Sequence, residues 1–528
     1  MRTVPLYELS RLSDKDCWEL FKQRAFEPNE VEHEELVVIG KEILKKCGGV
    51  PLAAIALGSL LRFKREEKEW LYIKESKLWS LQDDDYVMPA LRLSFLNLPV
   101  KLRQCFSFCA IFPKDEIIRK EFLIELWIAN GFISANQMLK AEDVGDEVWK
   151  ELYWRSFFQY TETDESGQTT IFRMHDLVHD LAQSVTQEVC CIIDDNDLPT
   201  MFERIRHLSI DRRNSFENVS SIPLHHVKSL KTYMEWNFDV IDAGQLSPQV
   251  LKCYSLRVLL SNRLHNLSTS IGRLKYLRYL DISEGRFMTL PKSLSKLYNL
   301  QVLKLDYCYF LEKFPDSLTR LKCLQHLSLR GCNSLSSFPP HIGKLTSLKT
   351  LSKYIVGKKT GFLLEELGLL NLKGELHVKH LERVKSVTDA KKANLSRKNL
   401  NRVWLSWERN EVSQLQENVE QILEVLQPSA QQLYSFGVGG YPGAHFPQWI
   451  SSPSLKDLSS LELVDCKSCL NLPKFWELPS LKHLRISNMS HVVYIVDESC
   501  DGEGLMTLKS LYLEKLPNLI RLFKGRRR

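Results

Sequence analysis

The sequence predicts a multidomain chain: a small α-helical bundle, a winged-helix domain, then an α/β solenoid of short repeats with the horseshoe form. Three observations predict it. The second half repeats with starts 23 to 24 residues apart. The first half shows helical apolar periodicity cut by prolines and glycines. Two strand-like runs flanking Ser166-Gly167 interrupt the helices. A length of 528 residues suits about three or four domains at ~100–200 residues each.

The repeats are the strongest signal. LRYLDIS from Leu277, LQVLKLDYC from Leu300, LQHLSLRGC from Leu324 and LKTLSKY from Leu348 start 23, 24 and 24 residues apart. That spacing falls within the ~20–29 residues of leucine-rich repeats. Between them recur TLPKSLSKLYN, KFPDSLTRLKC and SFPPHIGKLTS, each with a proline that ends a strand and an apolar turn that returns the chain. Alternation sends Leu303 and Leu305 inward and leaves Lys304 and Asp306 on the concave face. One repeat cannot bury its own apolar face, so each needs neighbours. Earlier strands stand at IRHLSI and LRVLLS, later ones near Leu400, Leu458, Leu481 and Leu508, so this domain is expected over 200–528. Cys308, Cys332 and Cys466 fall in the Asn/Cys slot of the turn and are expected as buried thiols. Cys466-Lys-Ser-Cys469 lacks a second ligand pair at finger spacing, which argues against zinc. No polar capping repeat follows the last strand, so the C-terminus is expected to be truncated or frayed.

The helical half divides in two. In LSDKDCWELFKQRAF, Ser13 can cap, Asp14 and Asp16 suit the first turn, and Cys17, Trp18, Phe21 and Ala25 share one face. A second helix, roughly Glu34 to Cys47, stops at Gly48-Gly49, and Pro51 opens a third through Leu61. This bundle is expected over 1–80, before the acidic loop Asp83-Asp84-Asp85. A second block, 86–195, holds PALRLSFLNLP, KLRQCFSFCAIFP, KEFLIELWIANGF and a helix over about 142–155, then the hairpin FFQYTETDESGQTTIFRMH. Helices followed by a hairpin wing describe a winged helix. Its candidate recognition helix offers Leu123, Leu126, Trp127 and Ile128 with Glu121 and Glu125, a composition for packing rather than for phosphates and base edges.

Bulk numbers exclude several classes. Seventy-one basic and 65 acidic residues leave a net charge of +6, too even to mark a nucleic-acid binder by itself. The basic tail Lys524-Gly525-Arg526-Arg527-Arg528 reads as solvated. Thirteen cysteines, an odd count in a long chain without an apolar leader, point to free thiols in a reducing compartment. No run reaches the ~18 apolar residues of a membrane span. These readings oppose an extracellular repeat receptor.

RMHDLVHDLAQSV (173–185) sets His175 and His179 one helical turn apart, each followed by aspartate. A zincin helix needs H-E-x-x-H, with glutamate as base between two zinc histidines, and here Asp176 is one methylene too short. A phosphohydrolase of the His-Asp type would need further ligands in an all-helical setting. His179 therefore reads as a packed polar residue. For His175 a structural and a functional reading both stand.

Taken in order, these motifs resemble the second half of plant NB-ARC leucine-rich-repeat disease resistance proteins of the coiled-coil type. The likeness covers nearly the whole chain. LSDKDCWELFKQRAF looks like the start of the ARC1 helical domain, and CGGVPLAAIALGSLL like the GLPL motif, with Val50 in place of leucine. LRLSFLNLPVKLRQCFSFCAIFPKD with LIELWIANGFI is similar to the ARC2 winged helix, and MHDLVHDLA to the MHD motif. The resemblance implies a switch between ADP-bound and ATP-bound states. It implies that Pro51 lies against adenine and that His175 reaches the β-phosphate of ADP, with Gly49, Leu52, Met174 and Asp176 supporting the two motifs. Imidazole suits the task because it donates to phosphate and titrates near neutrality. A P-loop string G-x-x-x-x-G-K-[ST] does not occur in this sequence. The chain is accordingly expected to be no enzyme. It would be an N-terminally truncated receptor whose nucleotide site is a remnant, with ADP or ATP as the implied ligand and no cofactor certain. Cys190-Cys191-Ile192-Ile193-Asp194-Asp195 mimics a Walker B strand but reads as a strand leading into the repeats. The alternative is an ADP/ATP-operated switch, if the full gene supplies a P-loop domain.

The expected mode of action is protein recognition. Arg278, Tyr279, Lys304, Tyr307, Arg330, Lys482, Arg485 and Tyr512 are the candidate concave-face residues, aromatic and basic side chains suited to a protein surface. Expected partners are a pathogen effector or a guarded host protein, together with an intramolecular contact between the ARC domains and the repeats. No membrane span and no direct nucleic-acid contact are expected. The cytoplasm is the expected compartment, with the nucleus as the alternative.

Overall fold

The computed structural model describes residues 10–27, 33–80, 86–163, 170–186, 189–193, 202–211, 227, 229–236, 244–408, 418–496 and 507–523. The loop Asp83-Asp84-Asp85, the hairpin tip at Ser166-Gly167 and the basic tail lie outside them. The chain forms two compact units, one of residues 1–217 with 222–236, the other of 237–528 with 218–221.

The first unit begins with α1 (Asp14–Ala25), α2 (Glu34–Lys45), α3 (Pro51–Leu61) and α4 (Glu67–Lys74). Ser13 caps α1 by accepting the Asp16 N–H at 3.2 Å. α3 is apolar almost all round and is the buried centre of the bundle, with Ala53, Ala54, Leu57, Leu60 and Leu61 in its core. Gly58 lets α1 come close, since a Cβ there would sit 2.7 Å from the Phe21 carbonyl oxygen.

Next come α5 (Val87–Leu96), α6 (Val100–Phe108), β1 (Ile118–Arg119), α7 (Lys120–Asn130), α8 (Ala141–Trp154), β2 (Gln159–Thr163), β3 (Thr170–Arg173) and α9 (Asp176–Thr186). β3 lies between β1 and β2 and is antiparallel to both, the sheet of a winged helix. α7 ends on Gly131 in the left-handed conformation and buries Leu123, Ile124, Leu126 and Trp127. Its one lysine, Lys120, pairs with Asp146 at 2.8 Å. The two blocks of this unit meet through two arginine–ring contacts, Arg62 over Trp154 at 5.3 Å and Arg155 over Phe63 at 4.3 Å, beside a Ser59–Ser156 hydrogen bond of 2.9 Å.

Three parallel strands of the repeat pattern, β4 (Cys190–Ile193), β5 (His207–Asp211) and β6 (Thr232–Trp236), also belong to this unit. They are tied to the winged helix. His207 packs edge-on against Phe108 at 5.1 Å, Trp236 against Phe112 at 6.1 Å, and the Thr232 hydroxyl donates to Asn130 Oδ1 at 3.1 Å.

In the second unit the usual repeat is a short parallel strand followed by a one-turn helix, with longer helices at Val387–Lys392 and Val419–Val425. β7 (Val258–Ser261), β8 (Tyr279–Asp281), β9 (Val302–Lys304), β10 (His326–Ser328) and β11 (Thr350–Leu351) pair in sequence order. β12 (Lys353–Ile355), β13 (Lys373–Lys379), β14 (Asn399–Ser406), β15 (Ser435–Gly439), β16 (Ser460–Val464), β17 (His483–Ser487) and β19 (Ser510–Glu514) form a second parallel run. Two short strands, β18 (Tyr494–Val496) and β20 (Arg521–Phe523), pair beside it. The leucines predicted to point inward are fully buried, Leu303 and Leu305 among them, while Lys304 and Asp306 keep partial access. The cysteine slot works as a ladder. Cys308 donates to the Ile282 carbonyl at 3.5 Å, Cys332 to Leu305 at 2.9 Å and Cys466 to Val438 at 3.8 Å, each reaching back one repeat. Cys469, also buried, donates to the Gly443 carbonyl at 3.2 Å. LKTLSKY departs from the pattern: its strand breaks at Ser352, and Lys353 is buried with its ammonium on the Cys332 carbonyl at 2.7 Å.

Candidate functional site

The loop before α3 is built by two glycines. Gly48 and Gly49 have φ of 55° and 75°, a conformation that costs a side-chain-bearing residue ~1–2 kcal/mol. The incoming chain lies on this loop, with the Leu12 N–H donating to the Gly49 carbonyl at 3.0 Å. A Cβ on Gly49 would meet Leu12 O and Arg11 Cβ at 2.9 Å, and one on Gly48 would meet the Tyr86 ring at 2.7 Å. The Arg11 guanidinium lies over the same ring, 4.8 Å from its centroid. Pro51, the first residue of α3, is exposed, and Leu52 is partly so. Arg11 and Tyr86 were not singled out in the sequence, where they stand far from the motif.

At the start of α9 the two histidines part company. His175 precedes the helix and is partly exposed; its Nδ1 accepts the Leu177 N–H at 3.2 Å, and its carbonyl accepts from Val178 and His179 at 2.9 Å. The ring is therefore the helix cap. With Nδ1 accepting, Nε2 is the ring nitrogen that carries the N–H. Met174 is buried behind it, and Asp176 is exposed in the first turn, where negative charge is stabilised.

His179 is buried and bonds through Nε2 to the Phe112 carbonyl at 2.8 Å. Burial pushes its pKa down, so the ring is neutral and Nε2–H is the donor. Gln183, one turn on, donates to the Ala110 carbonyl at 2.7 Å. Together they dock α9 on the turn after α6, and Lys114 closes the edge on Asp180 at 2.6 Å. α3 and α9 both pack against α5, but no hydrogen bond or ring contact joins Pro51 to His175 among the described residues.

The concave-face candidates divide as well. Lys304 lies over the Tyr279 ring at 5.2 Å. Tyr279 itself is fully buried, which corrects its assignment to the recognition surface: the ring fills the first strand position that the smaller Val302 fills one repeat later. Arg278 and Lys482 stand one residue before β8 and β17, on the rim leading into the strands. Burial and the neighbouring Arg257 lower the Arg278 pKa. Arg330 pairs with Glu375, and Tyr307, 47% exposed, sits in a left-handed turn against Tyr309.

Arg485 and Tyr512 are register partners on adjacent strands. The guanidinium stacks 4.8 Å above the ring, and both reach Glu514, at 3.9 Å and 3.1 Å. Continuing their row across the sheet brings in Glu462, Gly437, Trp404 and His377. Trp404 lies over two glycines: Cβ atoms on Gly437 and Gly439 would come within 2.1 and 3.3 Å of its indole. The sequence reading missed Trp404 and Glu462. The pair of glycines in SFGVG, two apart in a strand, was the signal that a large neighbour needed room.

Family models match three stretches: the winged-helix domain of disease resistance proteins over 111–182, leucine-rich repeats over 299–321 and 323–345, and the R13L1/DRL21 leucine-rich repeats over 364–489. Among curated proteins the chain is 44% identical over 503 residues to disease resistance protein RGA2 of Solanum bulbocastanum, covering 94% of this chain and 49% of that protein. It is 44% identical over 529 residues to the putative disease resistance protein RGA1 of the same species, covering 99% and 51%. Putative disease resistance RPP13-like protein 1 of Arabidopsis thaliana is 36% identical over 548 residues, covering 98% and 51%. The chain thus spans about half the length of the curated relatives it matches. Among solved structures an internalin, inlF, from Listeria monocytogenes aligns with a TM-score of 0.43 at 17% identity, over 66% of this chain and 94% of that one.

Proposed function

Since the chain belongs to the plant disease resistance proteins that join a winged-helix domain to leucine-rich repeats, we propose that it acts in plant immunity by recognising protein partners on the inner face of its repeats. The observation that carries this reading is the row Trp404, Glu462, Arg485 and Tyr512, which sets aromatic and charged side chains side by side on one sheet face. Tyrosine, tryptophan and arginine are the residues that anchor protein interfaces. Charge reversal of Lys304, Arg330 and Arg485 in the full-length gene, read as the defence response in leaf tissue, is the test. Loss of the response with the protein still accumulating is expected; an unchanged response sinks the assignment.

The start of α9 supports a finer reading, in which His175 senses ADP. Its cap bond orients the imidazole and leaves an N–H for a phosphate oxygen, and Pro51 lies on the glycine loop that the resemblance places against adenine. No hydrolytic role is assigned to this chain: it senses and recognises rather than catalyses. Among the described residues no helix is long and apolar enough to cross a membrane, and the cytosol is the compartment this reading assumes. Calorimetry of ADP with the 528-residue chain beside His175→Ala tests the sensor. Binding that weakens in the variant is expected, and equal binding by both removes His175 from the role.

A further inference from the structure

The one-turn helices of five successive repeats each end in a cation. They are Lys252, Arg273, Lys296, Arg320 and Lys344, at the ends of the turns Val250–Lys252, Thr269–Arg273, Lys292–Lys296, Asp316–Arg320 and Ile342–Lys344. All five are exposed, and none has an ion-pair partner among the described residues. The turns stack closely: a Cβ on Gly272 would lie 2.6 Å from Ser293 O, and one on Gly343 2.8 Å from Glu366 O. Successive strands are about 4.8 Å apart. The five cations therefore run in a line of roughly 20 Å, widening towards the outside of the curve.

The residues that follow deepen the charge. Over 252–257, 273–278, 296–301, 320–325 and 344–349 there are ten cations and no carboxylate. The whole chain carries only +6, so the remainder nets −4 (6 − 10) and this rim holds more than the entire excess. Tyr254, Tyr276 and Tyr298 stand out among the cations at 52%, 62% and 53% exposure.

A cation at the end of a helical turn could serve only to bond the last carbonyls. That explanation falls short, because equivalent turns form without one. Leu364–Leu369 ends in an exposed leucine, Gln448–Ser451 in serine and Phe475–Glu477 in glutamate. Like charges lined up at this spacing repel one another, and such an arrangement is retained at a cost unless an opposite charge meets it.

We propose that this rim of the first repeats docks an acidic segment of a protein partner, one presenting carboxylates at about one per helical turn, together with apolar groups for the tyrosines. A helix with one carboxylate per ~5.4 Å turn comes close to the rung spacing. Protein is favoured over single-stranded nucleic acid because Lys275 already covers the Tyr298 ring at 5.5 Å, so that face is not open for a base to stack on. The surface is separate from the inner face of the sheet, though the proposal rests on the reading that the repeats bind proteins.

The test uses the full chain, with labelled poly-glutamate and labelled oligo-deoxythymidine of equal formal charge as probes. Arg273→Glu, Lys296→Glu and Arg320→Glu are combined in one variant, and Lys45→Glu with Lys68→Glu, exposed on helices α2 and α4 of the helical bundle, form the control. Both are checked for an unchanged melting transition; if the triple variant does not fold, Lys296→Glu alone replaces it. Poly-glutamate should bind the native chain, weaken at least about tenfold in the rim variant and less than about twofold in the control. Equal loss in both variants, or no poly-glutamate binding at low salt, overturns the proposal. Tighter binding of oligo-deoxythymidine than of poly-glutamate overturns it in favour of a nucleic-acid surface. Neither result touches the inner-face reading, which is decided by the leaf response to the Arg485 reversal.

Discussion

His377 is the side chain through which mild acid should reach the repeats. It lies in β13 between Lys353 and Lys379, shares its Nε2 with the Ser406 hydroxyl at 2.9 Å, and has its pKa pushed down to about 3 by burial and the two ammonium groups. The folded value is below the unfolded one, near 6.5, so the unfolded chain binds the proton first. Stability from this residue is complete above pH 6.5 and is lost as pH falls towards 3. At pH 5 the loss amounts to about 2 kcal/mol at most, and His377→Gln should flatten it. Urea midpoints at pH 7 and pH 5 would decide; the same drop in the variant would assign the effect to other groups. Lys379, two residues on in the same strand, shares the His377 face by alternation, but Lys353 was not legible in the sequence, because its register with His377 depends on where the strand breaks. Tyr279 failed for a related reason: alternation put it on the sheet face, but Lys304 of the next strand lies over the ring and leaves it no access.

At the scale of elements, termination signals carried most of the reading. Ser13, Pro51 and Gly131 bound three helices where local chemistry says they should. α4 was not anticipated, although Glu69 reaches back to the Arg65 and Glu66 N–H groups at its start. What the sequence could not supply was the docking of α9, because the carbonyls that hold it belong to residues 110 and 112, far back in the chain. Replacing His179 and Gln183 together by leucine would leave both carbonyls without their present donors and should cost about 1–3 kcal/mol per bond lost. Thermal melting of the double variant against each single one measures it, and additive losses below ~0.5 kcal/mol would mean that apolar packing alone seats the helix.

For the whole molecule, the repeats were read from leucine spacing, and the solenoid followed. The charged rim obeys the same 21- to 24-residue period but hides in it, because attention to the strand leucines passes over the turns between them. A stacked array also localises damage. Leu327, buried in β10, should cost about 2–5 kcal/mol when cut to alanine. The loss should be felt mainly by the adjoining repeats, and urea unfolding followed by hydrogen exchange would show protection falling around β9 to β11 first. A uniform fall over all the strands would mean that the array unfolds as one.

The break at Ser352 bears on how such an array comes apart. Up to that point each rung grips the next through backbone pairing, and from Lys353 onward it does so again. Between the two runs the backbone still bridges, Ser352 N–H to the Leu327 carbonyl at 3.3 Å and His377 N–H to the Ser352 carbonyl at 2.9 Å, and side chains add to it: the Ser352 hydroxyl holds the Leu329 N–H at 2.6 Å and the Lys353 ammonium lies on the Cys332 carbonyl. Unzipping that starts at either end therefore meets side-chain bonds as well as a strand pairing to release at this rung, which makes it a place for partial melting to pause.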